Sequence, residues 1–176
     1  MGAIRPFARE KLVMPLLISQ DVSLDDVLGR IADGFGPIDF TSDPIPFDFT
    51  TYYEAEMGTG LTRCICTVRD LVEPERLWQV KSRTNDLEQE YTVDGKRRIN
   101  LDPGLVSLKH LILASTKDNG RRVPLQNGIL AEITLVYYSG DYHPVEWTYP
   151  DYATRAYRDI FCKIREIYRT QLKHEA

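Results

Sequence analysis

Cysteine and histidine are scarce, three of each in 176 residues. An odd cysteine count gives no disulfide framework. His110, His143 and His174 are scattered, and no His/Cys spacing matches a zinc site. We therefore read Cys64, Cys66 and Cys162 as reduced core or half-buried residues and expect no metal held by them. No apolar run approaches the roughly 18 residues of a membrane span. The run from Leu12 to Ile18 is short and lacks a small-residue cleavage site, so it reads as a first strand and not a signal peptide. Met1-Gly2 begins like a myristoylation site, but Phe7, Ala8 and Arg9 do not support one. These absences point to a cytoplasmic protein with no membrane partner. Internal repeats, low-complexity tracts and linker composition are also missing, which favours a single domain over residues 1–176 with a flexible stretch at 1–10. That length buries a core without staples.

Charge is present but unevenly placed. The net charge is −4, yet seven of the 22 basic residues and only three of the 26 acidic ones fall between Asp94 and Leu125. That is a local +4, against −8 elsewhere. A positive zone in an acidic chain suits a small anionic ligand better than a nucleic acid, which usually meets a basic domain. The alternative is that these charges pair with acidic neighbours.

The apolar periodicity predicts an α+β domain. Residues 11–18 form a strand whose Pro15 implies an edge, a bulge or a break. Ser23 and Asp26 make a capping pattern, with Val22 and Val27 at the staple positions, and a helix runs to Gly34 or Gly36. Phe40, Phe47 and Phe49 are core candidates in a proline-interrupted extended segment. The stretch 50–60, with Tyr52, Tyr53, Glu54 and Glu56, reads as a solvated loop pinned by two rings, although such a cluster could orient a ligand or a metal. Residues 61–68 are β-like, with Cys64, Cys66 and Val68 opposite Ile65. Pro74 opens a helix to Tyr91, with Lys81 and Glu88 on its outer surface. Asp94-Gly95 is a tight turn, 97–102 a short strand, and Leu105, Leu108, Leu111 and Ile112 favour a helix. Residues 129–138 alternate as the clearest strand, and Ser139-Gly140-Asp141 turns into its partner. A last helix from Pro150 carries a stripe of Tyr152, Ala156, Ile160, Ile164, Ile167 and Leu172. The order β-α-β-β-α-β is that of the ferredoxin-like arrangement, a mixed or antiparallel sheet extended here by a hairpin and a C-terminal helix.

The motifs F-G-P-I-D-F, P-F-D-F-T-T-Y-Y-E-A-E-M-G, V-D-G-K-R-R-I-N-L-D-P-G, A-S-T-K-D, G-I-L-A-E-I-T-L and W-T-Y-P-D-Y resemble the prokaryotic family catalogued as domain of unknown function 4416, from about Lys11 to Leu172. Some of its members carry an automatic label of GTP-binding protein, so the resemblance implies nucleotide binding as an expectation. The residues exclude an ordinary P-loop GTPase. Gly95-Lys96 is followed by Arg97, with Glu90 where the first phosphate-loop glycine should stand. Asp102-Pro103-Gly104 sets Asp and Gly too close for the switch motif, and Thr116-Lys117-Asp118 lacks the residue between Lys and Asp that a guanine-reading loop needs.

A binding site, with turnover a further option, is therefore sought between Asp94 and Glu132, for a phosphorylated small molecule or nucleotide. Lys96, Arg97 or Arg98, Lys117, Arg121 and Arg122 are its candidate anion contacts, because arginine forks suit phosphate. Asn100, Asp102 and Asp118 could hold Mg²⁺ through oxygen. Glu132, a charge inside an apolar strand, and Asp102 are the candidate catalytic carboxylates; Glu132 is a general base or orients an arginine. The structural alternative for Glu132 is a buried pair with arginine. Against a ligand site stands a non-catalytic, homo-oligomeric module using its aromatic patches, W-T-Y-P-D-Y and Thr51-Tyr52-Tyr53. RNA binding ranks last, since the RRM strand motif is absent.

Overall fold

The computed structural model describes residues 2–175. In chain order it contains β1 (Glu10–Ile18), α1 (Leu24–Phe35), β2 (Ile38–Thr41), β3 (Ile45–Pro46), the single-turn α2 (Glu54–Met57) and β4 (Thr62–Val72). A 3-10 turn at Pro74–Arg76 leads into α3 (Leu77–Glu90), followed by the hairpin of β5 (Thr92–Val93) and β6 (Lys96–Arg97). Then come β7 (Ile99–Leu101), β8 (Gly104–Val106), β9 (His110–Ser115), β10 (Val123–Pro124), β11 (Leu130–Tyr138), β12 (Asp141–Pro144), α4 (Pro150–Ala153) and α5 (Arg155–Glu175). The main sheet runs β10-β11-β9-β8-β1-β4-β2, with β12 on β11, β3 on β4 and β7 on β1. Every pairing in it is antiparallel. The order of β8, β1, β4 and β2 is compatible with the ferredoxin-like arrangement expected from the sequence. Among the described residues no helix is long and apolar enough to cross a membrane.

The pleat of β1 divides the core in two. Leu12, Met14, Leu16 and Ile18 face α1 and α3, packing with Val27, Ile31, Leu77, Val80 and Leu87. Val13 faces the other way, with Ile65, Tyr157, Phe161 and Ile164, so α5 covers that side. Cys64, Cys66 and Val68 lie with the first group and Ile65 with the second, as their alternation predicts. The helix starts also follow local chemistry. Ser23 caps α1 by accepting the Asp26 N–H at 3.4 Å, and Asp94 and Gly95 both take positive φ (52° and 72°) in the two-residue turn of the β5–β6 hairpin.

Three expectations are corrected and a fourth, for Pro15, is narrowed. The apolar run after Pro103 is not a helix but the hairpin of β8 and β9, turned at Ser107, whose Oγ accepts the N–H groups of Lys109 and His110 (both 3.0 Å). Tertiary pairing overrides the helical spacing of its leucines. Of the alternatives for Pro15 the edge is excluded, since it lies in the central strand, and a break in the pairing on one side is what occurs. The Pro15 carbonyl accepts the Asp102 N–H at 2.9 Å, and in an antiparallel strand the missing N–H points the same way. It therefore meets the point where β1 exchanges β8 for β7 as neighbour. The alternation of β11 breaks at a bulge between Ile133 and Leu135, so Ala131 packs beside α3 whereas Leu135 and Tyr137 pack beneath α5. The C-terminal helix is interrupted at Thr154, which is extended (ψ 154°). That resets the phase: Tyr157, Phe161, Ile164 and Tyr168 are buried, while Ala156 is exposed.

Two glycines separate backbone need from accident. A Cβ on Gly104 would stand 2.2 Å from the Ile112 carbonyl oxygen, because β8 and β9 cross closely there, whereas a Cβ on Gly29 in α1 meets nothing within 4 Å. Gly104→Ala is expected to destabilise by about 3 kcal/mol and Gly29→Ala to stabilise by up to about 1 kcal/mol. Urea denaturation of the two variants measures both.

Candidate functional site

The sheet is incomplete beside β7. One side of β7 pairs with β1, but β9, which pairs with β8, does not continue alongside it. The open edge of β7 is closed by side chains. Lys81 Nζ donates to the Leu101 carbonyl at 2.7 Å, and Glu88 Oε1 accepts the Leu101 N–H at 2.8 Å. Both come from α3 and are buried, although the sequence places them on its outer surface. Lys81 and Glu88 also approach each other at 3.6 Å.

The resulting split is a cleft of about 1030 Å³. The tips of β7 and β9 supply Asn100, Asp102, Ser115 and Lys117, and α3 supplies Lys81 and Glu88. The α2 region contributes Tyr52, Tyr53 and Glu56, while α4 and the residue before it contribute Tyr149, Asp151 and Tyr152. Arg63, Asn100 and Leu17 form a cross-strand row, Arg63 and Asn100 being the two partners of Leu17 in register. They share the α5 face of the sheet, just beyond where α5 begins.

The charges around the cleft form paired groups. Arg122 sits in a fork with Glu132: Nε donates to Oε2 and Nη2 to Oε1, both at 3.0 Å. Its other hydrogens go to Ser115 Oγ (2.6 Å), the Lys117 carbonyl and Tyr149 OH (2.9 Å). The two side chains are only 3% and 4% exposed. Arg97 donates to both oxygens of Glu56 (2.6 and 2.8 Å), to Glu88 (2.7 Å) and to Asn100 Oδ1 (3.0 Å). Arg63 lies between Asp102 (3.2 Å) and Asp151 (3.4 Å), over the ring of Phe47. The Arg97 bonds hold the Glu56 carboxyl below its ordinary value. Burial pushes the Asp151 carboxyl up, with Arg63 opposing. Burial likewise raises the hydroxyls of Tyr53 and Tyr152 far above the usual tyrosine range.

Six of the ten candidate residues line the cleft: Arg97, Asn100, Asp102, Lys117, Arg122 and Glu132. Lys96, Arg98, Asp118 and Arg121 do not. Lys96 and Asp118 are exposed, Arg98 is 3.7 Å from Asp21, and Arg121 is 3.8 Å from Glu146. The expected oxygen set of Asn100, Asp102 and Asp118 is thus divided. Among the described residues no group of three or more His, Cys, Asp and Glu is placed to hold a metal. Sequence reading missed Arg63, the lone arginine of the apolar stretch 61–68, as well as Asp151, Lys81 and Glu88. Arg63 carried the same signal as Glu132, a charge in a run otherwise destined for burial. The loop at 50–60 is not merely solvated, since Tyr52, Tyr53 and Glu56 form one wall. Phe49, expected in the core, is 38% exposed and lines the mouth.

The fold and cleft define an antiparallel α+β domain with a ligand-sized depression walled by aromatic and charged side chains. The chain belongs to the family described as domain of unknown function (DUF4416), whose model matches residues 8–168. No curated protein and no solved structure matches it.

Two measurements probe these pairs. Glu132→Leu leaves the buried Arg122 charge unpaired and is expected to cost about 3–5 kcal/mol, whereas the double variant Arg122→Met/Glu132→Leu recovers most of that loss. A denaturant cycle of the four proteins reads it. Because the folded pKa of Glu56 lies below its ordinary 4.5, its contribution is complete above that value and declines as pH falls through the folded value. Glu56→Gln should flatten the fall of melting temperature in acid below pH 4.5, and an unchanged slope contradicts the assignment.

Proposed function

We propose that the cleft binds a phosphorylated small molecule or nucleotide. One observation carries the reading: three side chains lining it, each buried, leave hydrogen-bonding groups unanswered by the protein. These are Arg63 Nε, Asn100 Nδ2 and Tyr152 OH. The orientation of the Asn100 amide follows from its neighbour, since Arg97 Nη1 donates to Oδ1 and leaves the NH₂ for the cleft. Buried polar groups are nearly always satisfied, so the three mark a place for a ligand rich in acceptors. Around the mouth, Phe49, Tyr52 and Tyr149 are exposed (38%, 62% and 47%), which suits stacking on a planar ring. Lys117 stands among them as an anion contact, its Nζ 2.7 Å from Tyr52 OH.

Of the two carboxylates proposed for chemistry, Asp102 has the freer oxygen. Arg63 engages only its Oδ2, whereas both oxygens of Glu132 lie in the Arg122 fork. Glu132 fits an orienting role. The competing reading, a contact surface for a second copy, uses these same aromatic rings, and the cleft accounts for them without one. Light scattering at high concentration tests that alternative directly, a dimer being its expected result.

A thermal-shift panel of nucleotides and phosphorylated metabolites, with and without Mg²⁺, tests the binding. Ligand at 100 times its dissociation constant adds about 2.7 kcal/mol of apparent stability. Tyr152→Phe sharpens the test. With no ligand it should be neutral or stabilising by up to about 1 kcal/mol, because it removes a buried hydroxyl without a partner, while the ligand-induced shift shrinks. Loss of unliganded stability would assign the hydroxyl to the scaffold.

A further inference from the structure

We infer that the cleft is polarised: its floor receives a neutral planar group with a lactam-like edge, and its mouth receives a single anionic group. The inference rests on the ligand-binding reading above and specifies the ligand's class and direction.

The floor cannot comfortably take the anion, although it holds an arginine. Arg63 is set between two carboxylates, Asp102 and Asp151, so its immediate surroundings carry one positive and two negative groups. A phosphate placed there would meet like charges in a site screened from water. A neutral carbonyl meets no such repulsion, and the Asn100 NH₂ and Tyr152 OH can both donate to it. Asp102 offers the complementary half. Its Oδ2 faces Arg63, leaving Oδ1 to accept an N–H beside that carbonyl. A ring carrying adjacent C=O and N–H groups matches this set, and its faces match the aromatic walls higher in the cleft.

At the mouth the balance is opposite. Arg97 is neutralised by Glu56 and Glu88, Arg122 by Glu132, and Lys81 lies beside Glu88. Lys117 has no carboxylate partner among the described residues; its contacts are the hydroxyl and ring face of Tyr52. Among the described cations lining the cleft it alone has no carboxylate at ion-pair distance, Glu56 acting on it only from farther off. One lysine suits one phosphate, and the balanced remainder disfavours a polyphosphate.

Isothermal titration with uridine 5′-monophosphate, uridine, adenosine 5′-monophosphate and inorganic phosphate tests the polarity. Uridine monophosphate has a lactam edge and one phosphate, whereas adenosine monophosphate lacks the ring carbonyl. The wild type should bind uridine monophosphate more tightly than the other three. Asn100→Asp keeps the acceptor for Arg97 and removes the donor, so it should weaken uridine and its monophosphate equally, by about tenfold. Lys117→Ala, on an exposed side chain, should weaken the monophosphate about tenfold and leave uridine unchanged. The polarity is overturned if Asn100→Asp weakens inorganic phosphate, if Lys117→Ala leaves the monophosphate untouched, or if adenosine monophosphate binds as well as uridine monophosphate. Those results would leave the binding reading standing. A thermal-shift panel flat for every phosphorylated compound would remove both.

Discussion

The peptide of Leu101 is the point on which the architecture turns. Its N–H and C=O face away from β1 toward a strand that does not continue alongside, and a buried peptide left unpaired there would cost several kcal/mol. Glu88 and Lys81 answer both groups from α3. Two side chains of opposite charge thus stand in for the missing strand. Because they do, β7 can end at Asp102-Pro103, and the chain can resume as β8 beside β9. Pro15, directly across, needs no partner for the donor it lacks. The sheet gains a split at its centre without an unsatisfied edge, and that split is the cleft.

The same device explains why charged residues gather where the protein is otherwise closed. Glu88 reaches Leu101 with one oxygen and Arg97 with the other. Arg97 in turn grips Glu56 in α2, so side-chain hydrogen bonds tie the loop wall, the hairpin of β5 and β6, and α3 to one another. Buried pairs of this sort add little net stability, since desolvation offsets most of their attraction. Their effect is positional. They hold aromatic side chains of the loop at 50–60 over a floor whose own donors remain free.

Local features were legible from sequence. The Ser23 cap, the Asp94-Gly95 turn, the faces of Cys64, Ile65 and Cys66 and the α+β class all depend on neighbours within a few residues. What escaped depends on distance in the chain. The run from Leu105 to Ile112 has helical spacing, and only pairing with β1 and β11 makes it a hairpin. Lys81 and Glu88 look like surface residues on a helix because their partner, Leu101, lies 20 and 13 residues away. The positive zone between Asp94 and Leu125 was visible, but the acids that neutralise it, Glu56, Glu88 and Glu132, all come from outside that stretch. Hence the stretch contained little more than a third of the cleft's lining residues and suggested more net charge than the folded site carries.

The interruption before α5 shows how a small local preference serves the site. Thr154 is extended and accepts the Tyr157 N–H at 3.4 Å, capping a new helix. Had α4 and α5 formed one helix, the burial phase set by Phe161 and Ile164 would run back through Tyr157, and Asp151 and Tyr152 would follow from it. The break frees those two residues from that phase. Tyr152 then stacks on Phe161 with ring centroids 5.8 Å apart while its hydroxyl end stays at the cleft floor, and Asp151 reaches Arg63. One threonine at a helix start therefore decides whether the C-terminal segment only covers the sheet or also completes the wall of the cleft. Its position, five residues after the exposed ring of Tyr149, gives it both tasks.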